Sequence, residues 1–208
     1  MPNQAWNRLL EGNQRFVDDV PRHPNQDTAR RESLSDSQTP FVTLFGCSDS
    51  RVAAEMIFDV GLGDMFVVRN AGQVVDPVTL GSLEYGVEML GTPLLVVLGH
   101  DSCGAVTAAY NAYDSGETPP GFISDVVARI LPTVARARKN GRTTVNETVG
   151  QNTMDTVDKI MQLSTIIKTA VDDGRLIIVG LTYQLHDGHT TVVAQYGGDE
   201  AAISTYAS

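Results

Sequence analysis

The 208-residue chain contains two cysteines, Cys47 and Cys103, and each stands in a run of groups that bind metal or move protons. The first run is Cys47-Ser48-Asp49-Ser50-Arg51 and the second is His100-Asp101-Ser102-Cys103. Two cysteines and one histidine make a three-ligand zinc set, the number found at catalytic centres, where the fourth tetrahedral position stays open for water or substrate. A closed structural site needs a fourth Cys or His. There is no third cysteine, and His23, His186 and His189 lie far from both runs in sequence.

Two thiolates and a neutral imidazole around Zn2+ sum to zero net charge, so the ion withdraws less electron density from a bound water than it would among three neutral histidines. Zinc lowers the pKa of its water from about 15.7 to about 7 in the best case. This ligand set predicts a more alkaline value, and neighbouring groups must assist. Asp49 lies two residues beyond Cys47, so its carboxylate is able to face the same side as the thiolate. There it would orient an ionised water as an acceptor, or compete with water as fourth ligand. Arg51, two residues further, is placed to hold Asp49 in a bidentate pair and draw it off the metal.

The elements that must position these residues follow from apolar periodicity. Phe41 to Phe45 is a short buried strand that stops at Gly46, with Cys47 directly after it. Met65 to Val68 and Pro93 to Leu98 give a second and a third strand. Between them Asp76-Pro77 supplies an N-cap and a proline at the first helical position, Leu80, Leu83, Val87 and Leu90 mark one face, and Gly91 ends the helix. The pattern is βαβ, so Cys47 and His100 both fall just past the carboxyl ends of strands. In open α/β sheets that is where sites form, above all if the first and third strands are neighbours. A helix is expected to start at Cys103, its N-terminal dipole favouring a thiolate there.

Elsewhere, Trp6, Leu9, Leu10, Phe16 and Val17 mark an amphipathic opening helix that ends before Pro21, and residues 23–38 form a polar stretch expected on the surface or against a partner. Residues 112–123 read as a Gly- and Pro-rich loop. A helix disturbed at Pro132 follows, then one long helix from Val145 to Val171 stopped by Gly174. Leu176–Val179 and Thr191–Ala194 form a hairpin around Asp187-Gly188. The expected fold is α/β, a mostly parallel central sheet with one antiparallel edge strand, flanked by helices. We expect one domain over 1–208, with a helical arm at 1–37 and an α/β core at 38–208.

A formal charge of −10 argues against nucleic acid and anionic lipid as partners. The tightest basic cluster, Arg136-Ala137-Arg138-Lys139, fits a solvated face near a helix C-terminus. No apolar run approaches the roughly 18 residues that span a bilayer, and residues 1–19 lack the pattern of a secretory leader. The expected location is the cytoplasm, where thiolates are free to hold metal. On that expectation the sequon Asn146-Glu147-Thr148 is a chance match.

The two cysteine runs, with Gly104 after the second, closely resemble those of the β-class carbonic anhydrases. The resemblance extends through Gly61-Leu62-Gly63-Asp64-Met65-Phe66-Val67-Val68-Arg69-Asn70-Ala71-Gly72 and Gly81-Ser82-Leu83-Glu84-Tyr85. It implies reversible hydration of CO2 to bicarbonate and a proton by attack of zinc-bound hydroxide, with one Zn2+ per chain on Cys47, His100 and Cys103. Asp49 and Arg51 would be the catalytic dyad, with Asp49 a fourth ligand in a closed state. Gln38, Phe66 and Tyr85 match the family's substrate-pocket residues, the Gln38 amide donating to a substrate oxygen. Ala71 falls where some members carry a bulkier Val, and the backbone N–H of Gly104 is a further donor. The family assembles this pocket across a dimer interface gripped by the N-terminal helix, which implies a homodimer or a dimer of dimers. A subgroup with an allosteric bicarbonate site carries Trp at the position of Leu44, so that form of regulation is not expected.

Two other functions fit the same residues: hydrolysis of CS2 or COS on this scaffold, and a non-catalytic zinc-binding or thiol-switch protein. A purely structural metal needs neither Asp49 nor Arg51, which argues against the latter. His186 and His189 flank a turn and His23 sits between Pro21 and Pro24, so all three read as loop residues. Gly61-Leu62-Gly63 lacks the lysine of a phosphate loop, and the H-x-E and P-C-x-x-C runs of base deaminases are absent.

Overall fold

The computed structural model describes residues 1–198. Among these residues, five strands form one sheet in the order β2-β1-β3-β4-β5. They are β1 (Val42–Cys47), β2 (Met65–Asn70), β3 (Leu94–His100), β4 (Ile177–Tyr183) and β5 (Thr190–Tyr196). The first four run parallel and β5 pairs antiparallel with β4. β1 and β3 are buried along their whole length and β4 at all but Thr182. Runs such as VTLFGC and LLVVLGH carry no solvent-facing alternation because helices cover both sides of the sheet.

The side-chain period of two divides the core into two layers. Leu94, Val96 and Leu98 face Trp6 and Leu9 of α1 (Pro2–Val17) and Ile57 and Phe58 around α3 (Ala54–Ile57). Leu95 and Val97 face Leu83 of α4 (Pro77–Glu84), together with Val157 and Ile160 of α7 (Val145–Leu163) and Ile167 of α8 (Thr165–Asp172). The remaining helices are α2 (Thr28–Ser33), α5 (Gly104–Ser115) and α6 (Ile123–Lys139). No helix among the described residues is long and apolar enough to cross a membrane.

The chain leaves β1 towards β2 on one side and returns to β3 on the other, so a crevice opens between the carboxyl ends of β1 and β3. Cys47 and His100 are the last residues of those strands, each of which runs two residues further than the apolar pattern suggested. The strand ladder continues to them because neighbouring backbone remains available, Asn70 beside Cys47 and Tyr183 beside His100.

Several helix boundaries differ from the sequence reading. The expected long helix 145–171 is two helices broken at Ser164, whose extended backbone lets its hydroxyl accept from the Ile167 N–H and donate to Glu84. The apolar period runs through this break without Gly or Pro to mark it. The predicted loop at 112–123 is helical as far as Ser115, ending on Gly116 at φ +75°. α6 passes through Pro132 unbroken, with the proline on its exposed side. α2 was not foreseen; Asp27 caps it by accepting the Arg30 N–H.

The N-terminal segment is tied down by two carboxylates. Asp59 accepts from Arg15 Nε at 2.6 Å and from the N–H groups of Arg22 and His23. Asp64 accepts from Arg8, Asn25 and the Gly61 N–H. α1 thereby buries Trp6 and Leu9 on its own chain. Burial alone would raise the Asp59 carboxyl, but the Arg22 N–H, the Arg15 guanidinium and the His23 N–H outweigh it and hold it below the usual range. A carboxylate lowered on folding contributes stability above its unfolded value of about 3.9 and loses it as pH falls through the folded value. Asp59→Asn should therefore cost about 2–4 kcal/mol at pH 7 in urea unfolding, with the gap to the wild type closing below about pH 4.

Candidate metal centre

Two loops and two strand ends build the centre. After β3 the chain turns through Asp101 and Ser102 and enters α5, with Cys103 at its N-cap. Asp101 fixes this turn by donating its N–H to the Tyr183 carbonyl and accepting the Leu185 N–H on Oδ1. After β2 a single 3-10 turn, Ala71–Gln73, crosses in front of Cys47, and the Gly72 N–H points at Cys47 Sγ at 3.4 Å. Gly72 has φ +73°, and a Cβ there would lie 2.8 Å from Ile130 Cδ1 and 2.9 Å from Ala105 Cβ. Only glycine fits both that backbone and that space.

Cys47 Sγ, Cys103 Sγ and a ring nitrogen of His100 lie within 4.8 Å of one another, and all three residues are buried. His100 Nδ1 sits 2.8 Å from the Asp101 carbonyl, which makes it the protonated nitrogen and leaves Nε2 free to serve as a metal ligand. Nε2 is buried and has no hydrogen-bond partner. An orphaned buried nitrogen is costly unless a further group engages it. The two sulfurs are 3.9 Å apart, far beyond disulfide length and close to the roughly 3.8 Å expected of two thiolates on one tetrahedral zinc. The residues present therefore fit a metal ion.

Electrostatics in this pair are strongly asymmetric. The hydrogen bond from Cys103 pulls the Cys47 thiol far below the usual range, helped by His100, the Gly72 N–H and the Asp49 backbone against burial. Cys103 is pushed up by the same pairing and by burial, countered by the N–H groups of Val106 and Ala105 at the start of α5. Burial alone would lower His100, but the neighbouring Cys47, the Asp101 carbonyl and Asp49 raise it.

Asp49 and Arg51 meet in the bidentate pair read from their spacing. Arg51 Nε and Nη2 reach Oδ1 and Oδ2 at 2.9 and 2.7 Å, and the Arg51 N–H adds a third bond to Oδ1. These contacts, the Arg51 side chain first, hold the Asp49 carboxyl well below the carboxylate range. Its Oδ2 stands 3.9 Å from His100 Nε2. Arg69 was not singled out from sequence, yet it donates to the carbonyls of both Cys47 and Asp49 at 2.9 and 2.7 Å and so fixes the run between them. The available signal was a lone arginine near the end of an apolar edge strand.

The remaining candidates divide between the two edges of the sheet. Ala71 opens the turn in front of Cys47 and Gly104 follows Cys103, both at the carboxyl edge. Gln38 precedes the start of β1, which places it roughly 16 Å or more from the level of Cys47 at about 3.3 Å per strand residue. It lines a surface groove of about 450 Å3 with Arg31, Leu34, Leu62 and Gly63. Phe66 pairs with Thr43 near that same edge, and its ring packs 5.9 Å from that of Tyr85. Within one chain, Gln38, Phe66 and Tyr85 thus stand away from the sulfurs. His186 and His189 are exposed in the β4–β5 connection, and His23 is exposed in the loop after α1.

A family profile described as "Carbonic anhydrase" matches residues 42–190. The chain is similar to a carbonic anhydrase of Mycolicibacterium smegmatis, at 49% identity over 95% of this chain and 98% of that relative. It is 50% identical to carbonic anhydrase 2 of Mycobacterium tuberculosis, over 92% of each chain. Among solved structures, the β-carbonic anhydrase CcaA matches with a TM-score of 0.72 at 24% identity, over 96% of both chains. The Coccomyxa β-carbonic anhydrase in complex with acetazolamide matches at 0.71 and 25%, over 93% of this chain and 89% of that one. A tetrameric β-carbonic anhydrase from Sordaria macrospora matches at 0.71 and 23%, over 80% and 87%.

If the three residues form one metal site, Cys47→Ala and Cys103→Ala should each reduce bound metal from about one ion per chain to near zero. Elemental analysis of the purified variants checks this, and an unchanged metal content in either contradicts the ligand set.

Proposed function

Because the chain belongs to the β-carbonic anhydrase family, and is an enzyme of that class, we propose that Cys47, His100 and Cys103 hold zinc and that the protein hydrates CO2 reversibly to bicarbonate and a proton. The observation that carries this reading is the orphaned His100 Nε2 beside two sulfurs 3.9 Å apart, with the Asp49 carboxylate held alongside by Arg51.

Zinc, when bound there, would supply a Lewis acid that lowers the pKa of a water molecule, less strongly than among three neutral histidines. The chain's own groups then decide what that water does. Asp49, kept ionised by Arg51, is an acceptor only and would take a hydrogen bond from the attacking water, orienting it towards the substrate carbon. Both Asp49 oxygens are engaged by Arg51, a pairing that would restrain the carboxylate from binding a metal held by the three candidate ligands. Loss of the Arg51 contact would free it to move onto the metal and close the site. The Gly104 N–H, at the positive end of α5, is a donor for negative charge developing on a substrate oxygen.

Gln38, Phe66 and Tyr85 serve the centre of a second copy in this reading, because their edge of the sheet lies away from the sulfurs of their own chain. A homodimer, or a dimer of such dimers, then brings an amide donor and two aromatic walls to each CO2 site. Tetramers among the solved relatives support an oligomer. The two thiols, buried and unbridged, suit the reducing cytoplasm.

Asp49→Ala should keep its zinc and lower kcat/KM for CO2 hydration about 100-fold or more in stopped-flow assays; turnover equal to the wild type would remove Asp49 from the mechanism. Gln38→Ala should chiefly raise KM. Co-expressed Gln38→Ala and Cys103→Ala chains should recover activity at low CO2 that neither shows alone, since the zinc-bearing chain receives Gln38 from its neighbour. Absence of recovery in purified mixed dimers would show that Gln38 does not act across the interface.

A further inference from the structure

α7 reaches both halves of the metal centre through two asparagine side chains. Near its start, Asn146 Oδ1 accepts the N–H of Ser102 at 2.9 Å. Six residues later, Asn152 Nδ2 donates to the carbonyl of Gly72 at 3.1 Å, and the N–H of the same Gly72 points at Cys47 Sγ. Ser102 lies between His100 and Cys103 and holds φ +52°, a left-handed conformation uncommon for a residue with a side chain. Its carbonyl accepts from Arg51 Nη2 at 3.3 Å, so the peptide groups on both sides of this strained residue are tied to side chains. One ligand-bearing loop from β3, and the turn from β2 that meets the other sulfur, therefore share an anchor on a single helix.

That helix is a rigid anchor. Thr144 and Glu147 form a reciprocal cap at its start, Val149, Val157 and Ile160 bury its inner face, and Asp155 joins Thr133, Arg136 and Gln151 on its α6 side. The orientation of both amides is fixed by chemistry: a backbone N–H must meet the Asn146 oxygen, and a backbone carbonyl must meet the Asn152 nitrogen. We propose that α7 clamps the two halves of the metal centre at the spacing a tetrahedral ion requires, with Asn146 and Asn152 as positioning residues for the Cys103 loop and the Cys47 turn. The clamp rests on the metal role of Cys47, His100 and Cys103, and it gives the Asn146-Glu147-Thr148 triplet a function unrelated to glycosylation.

Outer partners of metal ligands are worth about 10–100-fold in metal affinity. Asn146 is exposed, so its truncation removes no core packing. In zinc-loaded protein titrated with a chelator, Asn146→Ala should bind zinc about 10–100-fold more weakly. Asn146→Asp, which keeps an oxygen acceptor, should stay within about threefold of the wild type. Asn152→Asp, which replaces the donor with an acceptor, should weaken zinc as Asn146→Ala does. Asp158→Ala removes the partner of the Tyr196 hydroxyl from the same helix and should leave zinc affinity unchanged even if the melting temperature falls. Wild-type affinity in Asn146→Ala, equal losses in the Ala and Asp variants at 146, or an equal loss in Asp158→Ala would each overturn the clamp. These outcomes are separable from failure of the ligand set, which retention of metal by Cys103→Ala would reveal.

Discussion

Two sulfurs 3.9 Å apart beneath a protein surface would, if both were ionised, repel one another by about 4 kcal/mol in an effective dielectric of 20, unless positive charge lay between them. The centre is organised around that constraint. Gly72 offers one N–H to Cys47, the first amides of α5 face Cys103, and His100 turns an unpartnered nitrogen towards both sulfurs. A divalent ion satisfies all three groups at once, and no neutral side chain of similar volume would. The fold supplies the rest: β1 and β3 are adjacent, both are fully buried, and each ends on one of the three candidate ligands.

The same arrangement explains why the acidic and basic partners sit where they do. With two thiolates and an imidazole cancelling its charge, a divalent ion held there would activate water weakly on its own, and an ionised acceptor close by would become important. Arg51 maintains that acceptor and limits its reach, while Arg69 holds the backbone from Cys47 to Asp49 in place beneath it. Gln38, Phe66 and Tyr85, which the proposed function assigns to the substrate, lie towards the far edge of the sheet, a placement the proposed function accounts for by a second copy of the chain.

Much of this was legible in the residues. Cys47 and His100 sit at strand ends because apolar runs stop beside them, Cys103 follows at the start of a helix rich in small residues, and the Asp49–Arg51 pair follows from a two-residue spacing. The antiparallel edge strand follows from the hairpin turn at Asp187-Gly188, while the adjacency of β1 and β3 that opens the crevice, only a condition in the sequence, is set by the sheet order. What sequence hid were features set by tertiary contact: the break at Ser164, held by Glu84 from a distant helix; the continuity of α6 through Pro132, tolerated because that side faces solvent; and the asparagines of α7. Asn146 looked like a chance sequon, since nothing local reveals that its partner is the backbone of Ser102, 44 residues earlier.

The central claim is one tetrahedral ion between two sulfurs and one imidazole, and X-ray absorption at the zinc edge of the purified protein tests it most directly. The account predicts stoichiometric zinc with two sulfur neighbours at about 2.3 Å and the remaining nitrogen or oxygen neighbours at about 2.0–2.2 Å. A first shell without sulfur, or protein free of zinc, would contradict it.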